Sequence, residues 1–168
     1  MANTVMVLTR TASDNIDALN RVAKYTEDLV NGSPVTLTFP ESGEVFTAAP
    51  ATTGLKFSIG RKEPIIIGSE GIGGEEVDAW LLEVTENTSN VWLVYSPEVN
   101  KQIVGMIWGG KDPRNFTNVK NKPFDVFKPQ VGDIIQVTKD FFEASYDPTT
   151  VSSSTKVELV SGKFQAKV

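Results

Sequence analysis

Apolar residues recur along the chain at two periods, and the changes of period mark out its elements. Residues Thr4 to Thr9, rich in Val, Met, Leu and Thr, read as a strand or an extended arm. From Ser13 the period lengthens. Ile16, Leu19, Val22, Ala23, Leu29 and Val30 fall three, four and seven apart, the stripe of an amphipathic helix. Ser13 or Asp14 serves as N-cap with Asp17 in the first turn, and Asn31-Gly32 offers a left-handed stop ahead of Pro34. The pattern predicts one helix near residues 14–31.

Beyond Pro34 the period shortens to that of strands. Val35 to Phe39, Glu44 to Ala48, Leu55 to Ile59 and Ile65 to Ile67 are β-type runs separated by Pro40, Gly43, Pro50, Gly54, Gly60 and Pro64. Val77 to Thr85 and Val91 to Tyr95 flank Asn87-Thr88-Ser89-Asn90, which predicts a hairpin. Its arms carry apolar residues on both faces, Trp80, Leu82 and Val84 on one and Ala79 and Leu81 on the other, so both faces are expected to be covered. Ile103 to Trp108 is similarly two-faced. Lys111 to Lys122 lacks apolar periodicity and reads as a surface loop. Asp133 to Phe142, Lys156 to Val160 and Lys163 to Val168 supply the last strands. The expected fold is mainly β with one α-helix (α+β): a compact antiparallel β-barrel or sandwich with the helix packed on it. Residues 1–168 read as a single β-rich domain, with 1–10 as an N-terminal arm.

Composition narrows the function. The 168 residues include 40% hydrophobic and 22% charged residues, the balance of a globular chain long enough to bury its own core. A formal net charge of −5 disfavours nucleic-acid binding, which needs clustered Lys and Arg against phosphate. Apolar runs such as Ile65 to Ile67 and Trp80 to Leu82 are far shorter than the ~20 residues of a membrane span. The N-terminus has no basic segment ahead of its apolar stretch, so synthesis in a cytoplasm is expected. With no His and no Cys, the commonest general base, the commonest metal ligand and the thiolate nucleophile are missing. No cofactor, metal or catalytic residue is assigned, and the expectation is a non-enzyme.

Each remaining constellation has a plainer structural reading. Gly68, Gly71, Gly73 and Gly74 follow a strand as a phosphate loop would, but Glu75, Glu76 and Asp78 come next and would repel a phosphate. A connection needing positive φ accounts for them. Glu70, Glu75, Glu76 and Asp78 lack the ligand spacing of a calcium loop. Glu83 and Glu86, near Trp80 and Trp92, are the one pair suited to a carboxylate glycosidase. Ser13, Ser33, Ser42, Ser58, Ser69 and Ser96 lack a nucleophile elbow and a His partner. Trp80, Trp92 and Trp108 fit a core better than an exposed stacking face, each being flanked by aliphatic residues. Charge is uneven: residues 70 to 86 hold six acids and no base, whereas 111 to 128 hold five bases and two acids. Opposed patches of that kind steer a protein onto a complementary surface or a second copy.

The chain also resembles the small virion proteins of tailed bacteriophages. The resemblance lies in the Met-Ala-Asn-Thr-Val start, the absence of Cys and His, one expected helix among Thr- and Val-rich strands, and the Gly/Pro/Asn loops. Gln130 to Thr138 is similar in pattern to strand openings of small phage β-barrels. Head decoration, or cement, proteins fit best, although tail-tube, head-completion and baseplate subunits share most of these features. The resemblance implies a virion structural protein that binds the outer capsid surface and stabilises it, with the major capsid protein as partner and a homo-oligomer, a trimer favoured, as the working form. Asn3, Thr4, Val5 and Met6 of the arm and Lys111, Arg114, Lys120 and Lys122 of the basic stretch are the expected partner-binding residues. The alternative is a carbohydrate-binding module or a tail or baseplate adhesin that uses the tryptophans.

Overall fold

A computed structural model describes residues 6–9, 17–67, 75–96, 117–143 and 156–167. The largest departure from expectation comes first in the chain. Residues 14–16 lie outside the described residues, and from 17 onward the expected helix is replaced by a 3-10 turn at Asp17–Leu19 and a strand, β2 (Asn20–Lys24). The helical stripe fails at Thr26 and Glu27, the positions three and four beyond Ala23 where an apolar residue would continue it. In β2 the burial alternates instead: Ala23 is buried while Val22 and Lys24 are exposed. Pairing on both sides outweighs the weak local preference for helix. The stop signal is real but serves another purpose. Gly32 has φ +89 and its N–H donates to Val94 O at 2.7 Å, turning the chain into β3 (Pro34–Thr38).

Two sheets result. Strand β4 (Phe46–Pro50) pairs with β3 antiparallel and with β2 parallel. With β9 (Trp92–Val94) and β10 (Phe124–Phe127) these strands close a five-stranded barrel in the order β10-β2-β4-β3-β9. The second sheet is wholly antiparallel. It contains β1 (Met6–Thr9), β5 (Leu55–Lys62), β8 (Ala79–Asn87), β11 (Ile134–Thr138), β12 (Lys156–Val160) and β13 (Lys163–Lys167), in the order β1-β11-β8-β5-β12-β13. A two-stranded ribbon, β6 (Ile65–Ile67) with β7 (Glu75–Val77), branches from it.

The six-stranded sheet curls into a half-barrel. Register shifts between β5 and β8 at Lys56/Phe57 and at Ile59/Lys62 bend it, as bulges do. At the second shift Gly60 lets β5 approach β8, since a Cβ there would stand 3.2 Å from Leu81 O. After β11 a 3-10 turn, Lys139–Phe141, carries the chain under the sheet to Phe142, which bridges Phe164 of β13. Between β12 and β13, Ser161 (φ +51) and Gly162 (φ +80) form the two-residue turn that antiparallel hairpins favour.

The strands of the expected Val77–Tyr95 hairpin exist but do not pair with each other. β8 lies in the sheet between β5 and β11, and β9 lies in the barrel between β3 and β10. The residues between them form a corner. Asn87 brackets Val91, its Nδ2 donating to Val91 O and its Oδ1 accepting from Val91 N–H, both at 2.9 Å, while Asn90 takes φ +50. Turn-forming residues mark a reversal, and either a hairpin or a change of sheet satisfies them.

The half-barrel encloses the larger core. Phe141 stacks on Phe164 with ring centroids 4.2 Å apart and planes 11° from parallel, and Phe57 meets both edge-on at 6.0 and 5.7 Å. Leu55, Leu82, Val84, Ile135, Val137 and Val157 are buried around them. Replacing Phe164 with Ala removes one member of the stack and leaves a cavity. It is expected to cost about 3–5 kcal/mol in urea unfolding, and a loss below about 1 kcal/mol would contradict this account of the core.

Candidate partner-binding surface

Of the residues expected to bind a partner, Asn3, Thr4, Val5, Lys111 and Arg114 lie outside the described residues. Met6 begins β1, the terminal strand of the six-stranded sheet, opposite Val137 of β11. Lys120 and Lys122 lie in a turn at the barrel. The structure therefore places Met6 in the six-stranded sheet and the two lysines in a turn beside the barrel, and does not gather them into one site.

The turn that carries the two lysines is tightly held. Asn121 has φ +59 and its N–H donates to Tyr25 O at 2.7 Å. Lys122 N–H donates to Val119 O at 3.2 Å, and Lys120 N–H donates to the Asp28 carboxylate at 2.8 Å. Beneath the turn lies a buried polar network that the sequence did not announce. Asn118 Nδ2 donates to Leu29 O and to Asn31 Oδ1, each at 3.1 Å. Ser96 Oγ donates to Asn118 Oδ1 at 2.7 Å, and Ser96 N–H donates to Asn31 Oδ1 at 3.1 Å. All three residues are buried. The network ties the segment after β2, the end of β9 and the start of the 117–122 turn into one unit. Asn31 had been read as a helix stop and Ser96 among the serines without a catalytic partner. Its hydroxyl is engaged, since it also accepts from Asp125 N–H at 3.4 Å.

Two of the six acids in the acidic stretch, Asp78 and Glu86, are answered by lysines of β5. Lys56 faces Glu86 in register at 2.8 Å, and Lys62 meets Asp78 at 2.7 Å. The hydrogen bond and the charge of Glu86 raise the Lys56 pKa above its ordinary value. Glu86 is thus committed to a lysine. Trp80, expected in the core, is buried there against Phe142. Trp92 is half-buried and packs in the barrel interior, and Trp108 lies outside the described residues. The glycosidase pair therefore loses Trp80 as an aromatic wall. Among the described residues no group of three carboxylates is placed to hold a metal ion, and no helix is long and apolar enough to cross a membrane.

The barrel surface carries two open clefts. A cleft of about 360 Å³ opens at the barrel end between β2, β4 and the 117–122 turn, lined by Lys24, Tyr25, Thr26, Thr47, Ala48 and Asn121. A second, of about 270 Å³, lies beside Arg21, Val22, Tyr95 and Asp125 on the barrel wall. Comparison with known proteins yields no family model, no curated protein and no solved structure that matches the chain.

The polar network makes a direct prediction. Asn118→Ala takes away the acceptor of the buried Ser96 hydroxyl and one donor to Asn31 Oδ1, at an expected cost of about 1–3 kcal/mol. Denaturant unfolding of Asn118→Ala, Ser96→Ala and the double variant should give a double loss smaller than the sum, because the two side chains share a bond. Strict additivity would show that the network is not coupled.

Proposed function

We propose that this chain is a non-enzymatic virion structural protein that binds the outer surface of a phage capsid and stabilises it, and that β1 is its point of attachment. The observation that carries the reading is the contrast between the two ends of the six-stranded sheet. At one end, β13 has Lys163 and Lys167 at its limits, and its outer side meets the chain again, with Glu143 N–H donating to Phe164 O at 2.9 Å. At the other end, β1 is Met-Val-Leu-Thr, without charge or proline, and no described strand pairs with its outer side. Proteins ordinarily blunt sheet edges with charge, proline or cover, because an open edge invites another chain to pair. An edge left without those guards suits attachment by strand addition.

The rest of the molecule is consistent with that use. Such a protein needs a rigid scaffold and an accessible edge rather than a pocket, and the absence of His and Cys from the sequence supports the same reading. Several copies held together multiply a weak contact, which is the advantage of the trimer proposed for this protein. The resemblance to phage decoration proteins supplies the capsid as partner.

The test is sedimentation with capsids that lack the protein. The native chain should co-sediment, and Val7→Lys, which puts a charge on the open edge while retaining the strand, should bind at least about tenfold more weakly with unchanged circular dichroism. A chain that never co-sediments, or a Val7→Lys variant that binds as well as the native chain, would remove the proposal.

A further inference from the structure

The barrel has one parallel pair, and it is short. β2 and β4 are in register only at Ala23 with Phe46 and Lys24 with Thr47. Beyond that point they part. β4 continues through Ala48 and Ala49 to Pro50 with β3 as its strand partner, while the other chain leaves through Tyr25, whose carbonyl is taken by Asn121. The 360 Å³ cleft occupies this divergence.

Its chemistry is one-sided. The lining side chains offer the Lys24 ammonium, the hydroxyls of Tyr25, Thr26 and Thr47, and the Asn121 amide, with no carboxylate among them. Lys120 and Lys122 flank Asn121 in the rim turn and are exposed. Elsewhere Lys56 pairs with Glu86, Arg61 with Glu63, Lys62 with Asp78 and Lys163 with Glu143, while Lys128 donates to the Asn90 amide oxygen. Among the described residues no carboxylate pairs with the ammonium of Lys24, Lys120 or Lys122. Asp28, on the neighbouring segment, is engaged by the Lys120 N–H, and Glu27 beside it is exposed. A chain of net charge −5 thus holds three unmatched lysines at the margin of its splayed barrel seam.

We infer that this cleft binds an acidic, extended peptide segment, with carboxylate side chains on the lysines and the segment running along the side of β4 that β2 has left. Carboxylates accept charge-assisted bonds from ammonium, hydroxyl and amide donors together. The volume exceeds that of a lone small anion and is in the range of ligand sites. Local positive charge on an acidic protein also favours the approach of such a segment over the protein's own surface. The inference is independent of the capsid reading, because it concerns the barrel rather than β1 and its test contains no capsid.

The experiment is a nitrogen-15 NMR titration of the full chain with an octaglutamate peptide, with octaglutamine and inorganic phosphate as separate probes. Octaglutamate should shift the amides of Lys24, Thr26, Thr47 and Asn121 saturably. The Lys24→Ala, Lys122→Ala double variant, altered only at exposed positions, should bind about tenfold more weakly. Octaglutamine and phosphate should leave those amides in place at the same concentrations. Diffuse shifts at lysines over the whole surface, no shift, unchanged affinity in the double variant, or equal binding of phosphate would each overturn the assignment.

Discussion

The structure depends on strands that are apolar on both faces. β9 and β10 belong to the barrel by hydrogen bonding, yet only half of their side chains point into it. Trp92, Val94, Phe124 and Val126 pack with Ala23, Val35 and Ala48 inside the barrel, whereas Leu93 and Phe127 point the other way into the larger core beneath the curled sheet. Two short strands therefore form the common wall of two interiors. Strict alternation lets one strand serve both, with no layer of helix between the sheets.

The chain passes between the two sheets four times, and the last three crossings are packed together. Between β4 and β5, Ala51 is buried and its N–H donates to Pro34 O at 3.0 Å, while Gly54 at φ +95 lies so close to Ser89 that any Cβ would overlap that side chain. Between β8 and β9, Thr88 N–H donates to Gly54 O at 2.9 Å. Between β10 and β11, Gln130 N–H donates to the buried Asp133 carboxylate at 2.8 Å, and Gly132 N–H donates to Val84 O of β8 at 2.9 Å. Asn87 spans the last two, donating to Val91 O and to Pro129 O at 3.1 Å. With the crossings locked, the outer features stand on a fixed frame: the side of β1 that no described strand pairs, at one limit of the sheet, and the lysine-rimmed cleft at the barrel seam.

Much of the β content was legible in the sequence, because a strand with one solvated face alternates and its turns use Gly, Pro and Asn. Residues 65–67 and 156–160 were assigned with the bounds the structure has, and 55–59 forms the first part of β5. What failed was pairing. The β8 and β9 sequences have the same flanking residues whether they meet in a hairpin or diverge at a corner, and only Asn87 reaching Pro129, forty-two positions away, decides between them. β2 was hidden by chance spacing, with apolar residues that match a helix over two turns. Of the site, Lys120 and Lys122 were visible as charge, but Lys24 and the cleft arise from the splay of two strands far apart in sequence. The Asn31, Ser96 and Asn118 network left no local signal, since each is a single polar residue near a turn.

If shared strands and locked crossings bind the two sheets into one cooperative structure, native-state hydrogen exchange should show it most directly. The amide of Val94 in the barrel, bonded to Ser33 O at 3.0 Å, and the protected amides of β8 and β12 in the sheet should open with one common free energy that tracks global unfolding. A barrel that opens at a free energy lower by about 2 kcal/mol or more, with the sheet still protected, would contradict the account and show two interiors that unfold separately.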